Sequence, residues 1–164
     1  MTWLLILFLG AVIAASWLWL RWRSPLPKYP PLAVNIHDSQ MQNAIQEAKA
    51  RIAEFRQLLA QEHKQADIKF AVITSTGETE HVWAEVLEVQ GDQLQVRVNT
   101  PPISHIGRFE RVWQKPFDDI EDWQIILSDQ IIVGGFTMRV MFQKAREQWG
   151  NLPDELAELE KRYR

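Results

Sequence analysis

The sequence predicts an α+β domain carried behind a membrane anchor, and three observations predict it. Residues 2–20 hold no charged side chain. Between residues 41 and 59 apolar side chains return at three- and four-residue steps. From Ala66 onward the apolar period drops to two. The second and third patterns belong to a helix lying on a sheet and to strands with one covered face.

The chain's 164 residues leave room for an anchor and one ordinary domain. Thr2 to Leu20 reads TWLLILFLGAVIAASWLWL. As a helix this stretch is about 28 Å long, close to the roughly 30 Å hydrocarbon core of a bilayer. Trp3 stands at one end and Trp17, Trp19 and Trp22 at the other, where indole rings favour the headgroup boundary. Arg21 and Arg23 follow within reach of the phosphates. A cleaved signal peptide is the alternative. It wants a positive n-region, which is missing, and a small-residue cleavage site; Ala14-Ala15-Ser16 is small enough but has tryptophans crowded behind it. All nearby positive charge follows the span, so the positive-inside bias predicts a single-pass protein of the inner membrane with its C-terminal domain cytoplasmic. The lipid bilayer is then a partner through residues 2–20.

Residues 1–23 are thus the anchor, 24–37 a linker, 38–150 an α+β domain and 151–164 a C-terminal helix. Ser24 to Leu32 (SPLPKYPPL) contains four prolines, which make a stiff extended spacer. A proline-rich ligand for a partner's groove is the other use of such a stretch. After the linker come 15 basic and 21 acidic side chains, a net of −6. A domain so charged is repelled by phosphate backbones, so nucleic acid is not an expected partner, and anionic lipid adds nothing to its affinity for a membrane. The chain has no cysteine, which excludes disulfides, thiol nucleophiles and thiolate zinc sites.

Within the domain, Ser39 and Gln42 have the spacing of a capping box, and Asp38 adds negative charge at the helix start. Met41, Ala44, Ile45, Ala48, Ile52, Phe55 and Leu59 form one stripe, with charges of both signs opposite. Ile68, Phe70 and Val72 then alternate with polar residues up to a turn at Ser75-Thr76-Gly77-Glu78. Residues 79–90 read as a long second strand, Gly91-Asp92 as a hairpin and Leu94 to Val98 as a third strand. Further strands are expected at Phe109–Trp113, at Ile120 to Leu127, and from Ile131 to Phe142, this last one bent at Gly134-Gly135. Leu152, Leu156, Leu159 and Tyr163 mark a final helix. The architecture expected is an amphipathic helix packed on a curled antiparallel, SH3-like sheet, closed by the C-terminal helix.

Three separated motifs carry a family likeness: Glu80-His81-Val82-Trp83, Ile120-Glu121-Asp122-Trp123 and Gly134-Gly135-Phe136-Thr137-Met138-Arg139. With the helix before them they resemble the bacterial family catalogued as domain of unknown function 2314, over roughly 100 residues. The resemblance implies no established activity, and it covers neither the anchor nor the final helix.

Two groups of residues are candidate sites. Val82, Ala84 and Val86 share one strand face, so His81, Trp83 and Glu85 share the other. An imidazole, an indole and a carboxylate side by side suit a ligand, or His81 as a general base oriented by Glu85. The plainer alternative is that the first helix covers Trp83 and His81 makes one structural hydrogen bond. In the second group, Asp122 pairs with Arg139 and ties the Trp123 segment to the last strand, or Arg139 grips an anionic ligand. The four histidines fall in four elements without a ligand spacing, so no metal or other cofactor is expected. No nucleotide-binding loop or nucleophile elbow is present. The function expected is a non-enzymatic binding or interaction module with a protein partner or small ligand near His81, Trp83 and Trp123. The alternative is a hydrolase using His81 with Glu80 or Glu85.

Overall fold

In the computed structural model, residues 37–164 are described together with Leu32 and Asn35. The expected anchor and nearly all of the linker lie outside the described residues. Among the described residues no helix is long and apolar enough to cross a membrane.

Alternation becomes six antiparallel strands. They are β1 (Gln65–Ile73), β2 (Thr79–Gln90), β3 (Gln93–Val98), β4 (Val112–Pro116), β5 (Asp122–Ile126) and β6 (Ile132–Gly134). Their order is β4-β3-β2-β1-β5-β6. The sheet is open, which corrects the expectation of an SH3-like closed form. Closure needs its two edges to meet, and the β6 edge is already taken by the end of the chain. Ile132 N donates to Arg162 O at 2.7 Å and Arg164 N to Ile132 O at 2.9 Å.

Among the described residues four α-helices complete the α+β fold: α1 (Ser39–Ala50), α2 (Ile52–Leu59), α3 (Phe136–Trp149) and α4 (Asp154–Glu160). Asp38, rather than Ser39, caps α1, its Oδ1 accepting from Gln40 N at 2.9 Å and Met41 N at 3.3 Å. The single helix expected over residues 41–59 is broken at Arg51. Trp123 Nε1 donates to Ala48 O at 3.0 Å, and a donor inserted at a carbonyl of the helical ladder is a recognised cause of such breaks.

Strand register decides which side chains meet. Ile68 lies between Ala84 and Trp123, and Phe70 opposite Val82. These residues, with Val96 and Val98, form a buried core under Ala44, Ala48 and Phe55 of the helices. Phe55 stacks on Trp123 with centroids 5.1 Å apart. This is the helix-covered face of the sheet.

The largest departure concerns Ile131 to Phe142, expected as one bent strand. The strand stops at Gly134, and Phe136 to Trp149 is helix. Gly134 and Gly135 have φ of 90° and 65°, the left-handed region that favours glycine, and they turn strand into helix rather than bend a strand. The physical reason is Asp122. Its Oδ1 accepts from Phe136 N (3.1 Å) and its Oδ2 from Thr137 N (2.7 Å) and Thr137 Oγ1 (2.6 Å). A carboxylate placed there satisfies free amides and complements the positive end of the helix.

Candidate functional site

Opposite the helix-covered face lies a polar one. Register puts Glu85 beside Asp67, Trp83 beside Lys69 and His81 beside Ala71 on β2 and β1. Asp122 and Gln124 of β5 continue the rows of Lys69 and Asp67. His81, Trp83 and Glu85 therefore share a face, as their alternation requires, and all three are half-buried.

The helices do not cover Trp83. That corrects the alternative in which the first helix shields it; Trp123, fully buried on the other face, takes the place under α1. Trp123 is accordingly not part of a cluster with His81 and Trp83. Asp122 and Arg139 do not pair either. Asp122 is engaged at the α3 N-terminus, and Arg139 Nη2 donates to Gly134 O at 3.2 Å.

His81 is oriented by a residue that strand alternation does not point to. Its Nδ1 lies 2.6 Å from Glu121 Oε2, not beside Glu80 or Glu85. The carboxylate requires a donor there, so Nδ1 carries the proton and Nε2 is left as the outward nitrogen. Ala71, small and exposed, is what lets the two side chains meet across β1. Glu85 holds Arg97 Nη2 at 2.5 Å. Glu80 accepts from Ile103 N (2.8 Å), Ser104 N (2.6 Å) and Ser104 Oγ (2.6 Å). Those bonds, the Ser104 hydroxyl first, hold the Glu80 carboxyl below its ordinary range.

Three further residues shape the site. Lys69 is half-buried, and its Nζ reaches Thr137 Oγ1 at 3.4 Å. Burial lowers its pKa, while Asp122 and then Glu121 draw it back. Asp67 accepts from Gln65 Nε2 (2.8 Å) and Gln124 Nε2 (3.0 Å), and burial still pushes its carboxyl up. Tyr163 Oη donates to Gln124 Oε1 at 2.9 Å, and burial raises its phenol to about 12. Lys69 and Asp67 were legible only as polar positions of an alternating strand. Glu121 lies inside the second motif, but no spacing rule connects it to His81.

Two cavities meet at His81. One, of about 330 Å³, is walled by Asp67, Glu80, His81 and Trp83 and by the loop from Asn99 to Ile103. The other, of about 570 Å³, lies between His81, Glu121 and Thr79 and the α1 side chains Gln42, Gln46 and Lys49. Among the described residues no three His, Asp or Glu side chains gather as metal ligands.

Over residues 38–154 the chain matches the family described as an uncharacterized protein conserved in bacteria (DUF2314). The chain belongs to the DUF2314 family. The DUF2314 match takes in the whole sheet and helices α1 to α3, and with them His81, Trp83, Glu121 and Asp122. It ends at the first residue of α4. No curated protein and no solved structure matches the chain.

Proposed function

We propose that this DUF2314 domain is a small-ligand binding module, tethered at the inner face of a membrane by residues 2–20. The cavity beside Trp83 carries the proposal. Trp83 offers an apolar ring, His81 is aimed by Glu121, and the cavity wall contains Asp67 and Glu80 but no lysine or arginine. Such a wall favours a neutral or cationic molecule with a flat or apolar body. A phosphate or carboxylate ligand meets two acidic neighbours there.

The test is thermal melting of the full chain in detergent against neutral and cationic small molecules. A binder raises the melting temperature of the native chain and leaves that of Trp83→Leu and His81→Asn unchanged. A panel in which every shift survives both substitutions overturns the proposal. The tether is tested separately: the chain stays with membranes through an alkaline carbonate wash, and protease added outside sealed vesicles spares the domain. Release by carbonate overturns it.

The 2.6 Å contact between His81 and Glu121 supports a second reading, a hydrolase in which His81 Nε2 activates water. In that case His81→Gln abolishes turnover of a bound compound without lowering the melting temperature. Equal turnover in the variant removes this reading and leaves binding intact.

A further inference from the structure

We infer that the cavity beside Trp83 takes an organic ammonium, its N–H groups donating to Asp67 and its apolar body lying on the Trp83 ring. The inference rests on the small-ligand reading above and narrows it to one chemical class.

Asp67 carries it. This residue is buried, and it is one of the two carboxylates in the cavity wall. Register makes Glu85 its cross-strand partner and Lys69 that of Trp83, so Asp67 and Trp83 are diagonal neighbours on one face. Such neighbours stand about 7–8 Å apart, a gap that one ammonium bridges between a carboxylate and an indole. Neutral amides from Gln65 and Gln124 each take one acceptor position, and a carboxylate has about four. A buried carboxylate is stabilised by a cation beside it. The charge acting on Asp67 is that of Glu85, which has the same sign. Among the described residues no ion pair includes Asp67.

The basic groups nearby are engaged elsewhere. Lys69, two residues along β1, turns its Nζ to Thr137 Oγ1, and Asp122 and Glu121 are the carboxylates that act on it. Arg97 of β3 is held by Glu85 at 2.5 Å. Arg111 donates to the carbonyls of Val98 and Asn99. Tyr163 bonds Gln124, and with its phenol raised to about 12 it stays uncharged. His81 faces Glu121 through Nδ1. Glu80, the second carboxylate of the wall, accepts from the Ile103 and Ser104 amides and the Ser104 hydroxyl, all neutral donors that keep it ionised. A cation complements these two carboxylates. A neutral ligand leaves both uncompensated, and an anion is repelled by both.

The test uses the full chain in a neutral detergent, with phenethylamine and tryptamine as probes and 2-phenylethanol and tryptophol as their uncharged counterparts. Calorimetry at neutral pH should show each amine binding roughly tenfold or more tighter than its alcohol, the worth of a hydrogen bond to a charged group. Burial favours protonated Asp67 and an ammonium favours the ionised form, so amine affinity falls towards mildly acidic pH. Heats in two buffers of different ionisation enthalpy should show protons released on binding there. Asp67→Asn, of nearly the same volume, should bind amine and alcohol alike, with a smaller pH dependence because only Glu80 and His81 still titrate. The amine–alcohol comparison is made on the native chain, so it decides the class even if the variant fails to fold. Equal binding of amine and alcohol, both lost in Trp83→Leu, overturns the ammonium class and leaves the small-ligand reading standing. An amine preference that survives Asp67→Asn assigns the cation to Glu80 and overturns the role of Asp67. Binding of none of the four probes overturns this inference, and the wider panel above then decides the reading beneath it.

Discussion

Asp67 has a carboxyl group almost removed from water, 6% exposed, with two glutamine amides donating to it and Glu85 beside it. Burial disfavours its charged form by more than the two hydrogen bonds restore, so its folded pKa lies above the unfolded one. The sign follows from linkage. In the window between the two values the unfolded chain has released a proton that the folded chain keeps, so folding binds a proton there. The stability this group contributes is complete below the ordinary aspartate range and is lost as pH rises through the folded pKa. Asp67→Asn should remove that loss: its urea midpoint changes less than the native one between mildly acidic and neutral pH, and at neutral pH it is the more stable chain. An Asp67→Asn chain whose midpoint changes with pH by as much as the native one would contradict the assignment. His81 and its partner show what sequence does and does not convey at this scale. Alternation alone puts His81, Trp83 and Glu85 on one face. The choice of Glu121 over Glu85 depends on how β5 lies against β1, which is a tertiary fact.

The junction of β6 and α3 holds the clearest test at the level of elements. A Cβ on Gly134 would stand 2.3 Å from Trp123 O and 2.7 Å from a Trp123 ring carbon, at a φ of 90°. Gly150, which ends α3 at a φ of 80°, has nothing within 4 Å of where a Cβ would stand. Gly150→Ala therefore costs backbone strain alone, about 1 kcal/mol. Gly134→Ala adds overlap with a buried, immovable ring and should cost about 3 kcal/mol or more. Equal unfolding midpoints for the two variants in urea would mean that Gly134 is not packed against Trp123. The same junction is where sequence periodicity misleads. Gly-Gly between apolar residues resembles a bent strand, and Val140, Met141 and Phe142 suit one. Yet Met138, Phe142, Ala145 and Trp149 recur at four, three and four residues, the signature of a helix. The first strands were legible because alternation there is long and the turns are polar. Here three residues of β6 are too few to establish a period, and the helix cap comes from Asp122, in another strand.

At the scale of the whole molecule, an open sheet has two edges to protect, and an unguarded edge invites pairing with another chain. The β4 edge ends in Lys115 and Pro116, both unsuited to further pairing. The β6 edge is covered by residues 162–164, which bridge to Ile132, while Tyr163 bonds Gln124 and packs on Phe142 with centroids 5.4 Å apart. That segment lies beyond the part of the chain shared with the family, which ends at residue 154. Its helical stripe was legible, but its role at the sheet edge was not, because the pairing is between distant segments. Deleting residues 161–164 removes both backbone hydrogen bonds to Ile132, the backbone bonds that close the last helical turn and a half-buried aromatic ring, a loss of about 3–5 kcal/mol. Tyr163→Phe removes only the bond to Gln124 and should cost about 1 kcal/mol. The deletion also bares β6, so the truncated chain should scatter light and sediment as larger species at concentrations where Tyr163→Phe does not. A truncated chain that keeps both the native urea midpoint and the native size would show that this edge needs no cover.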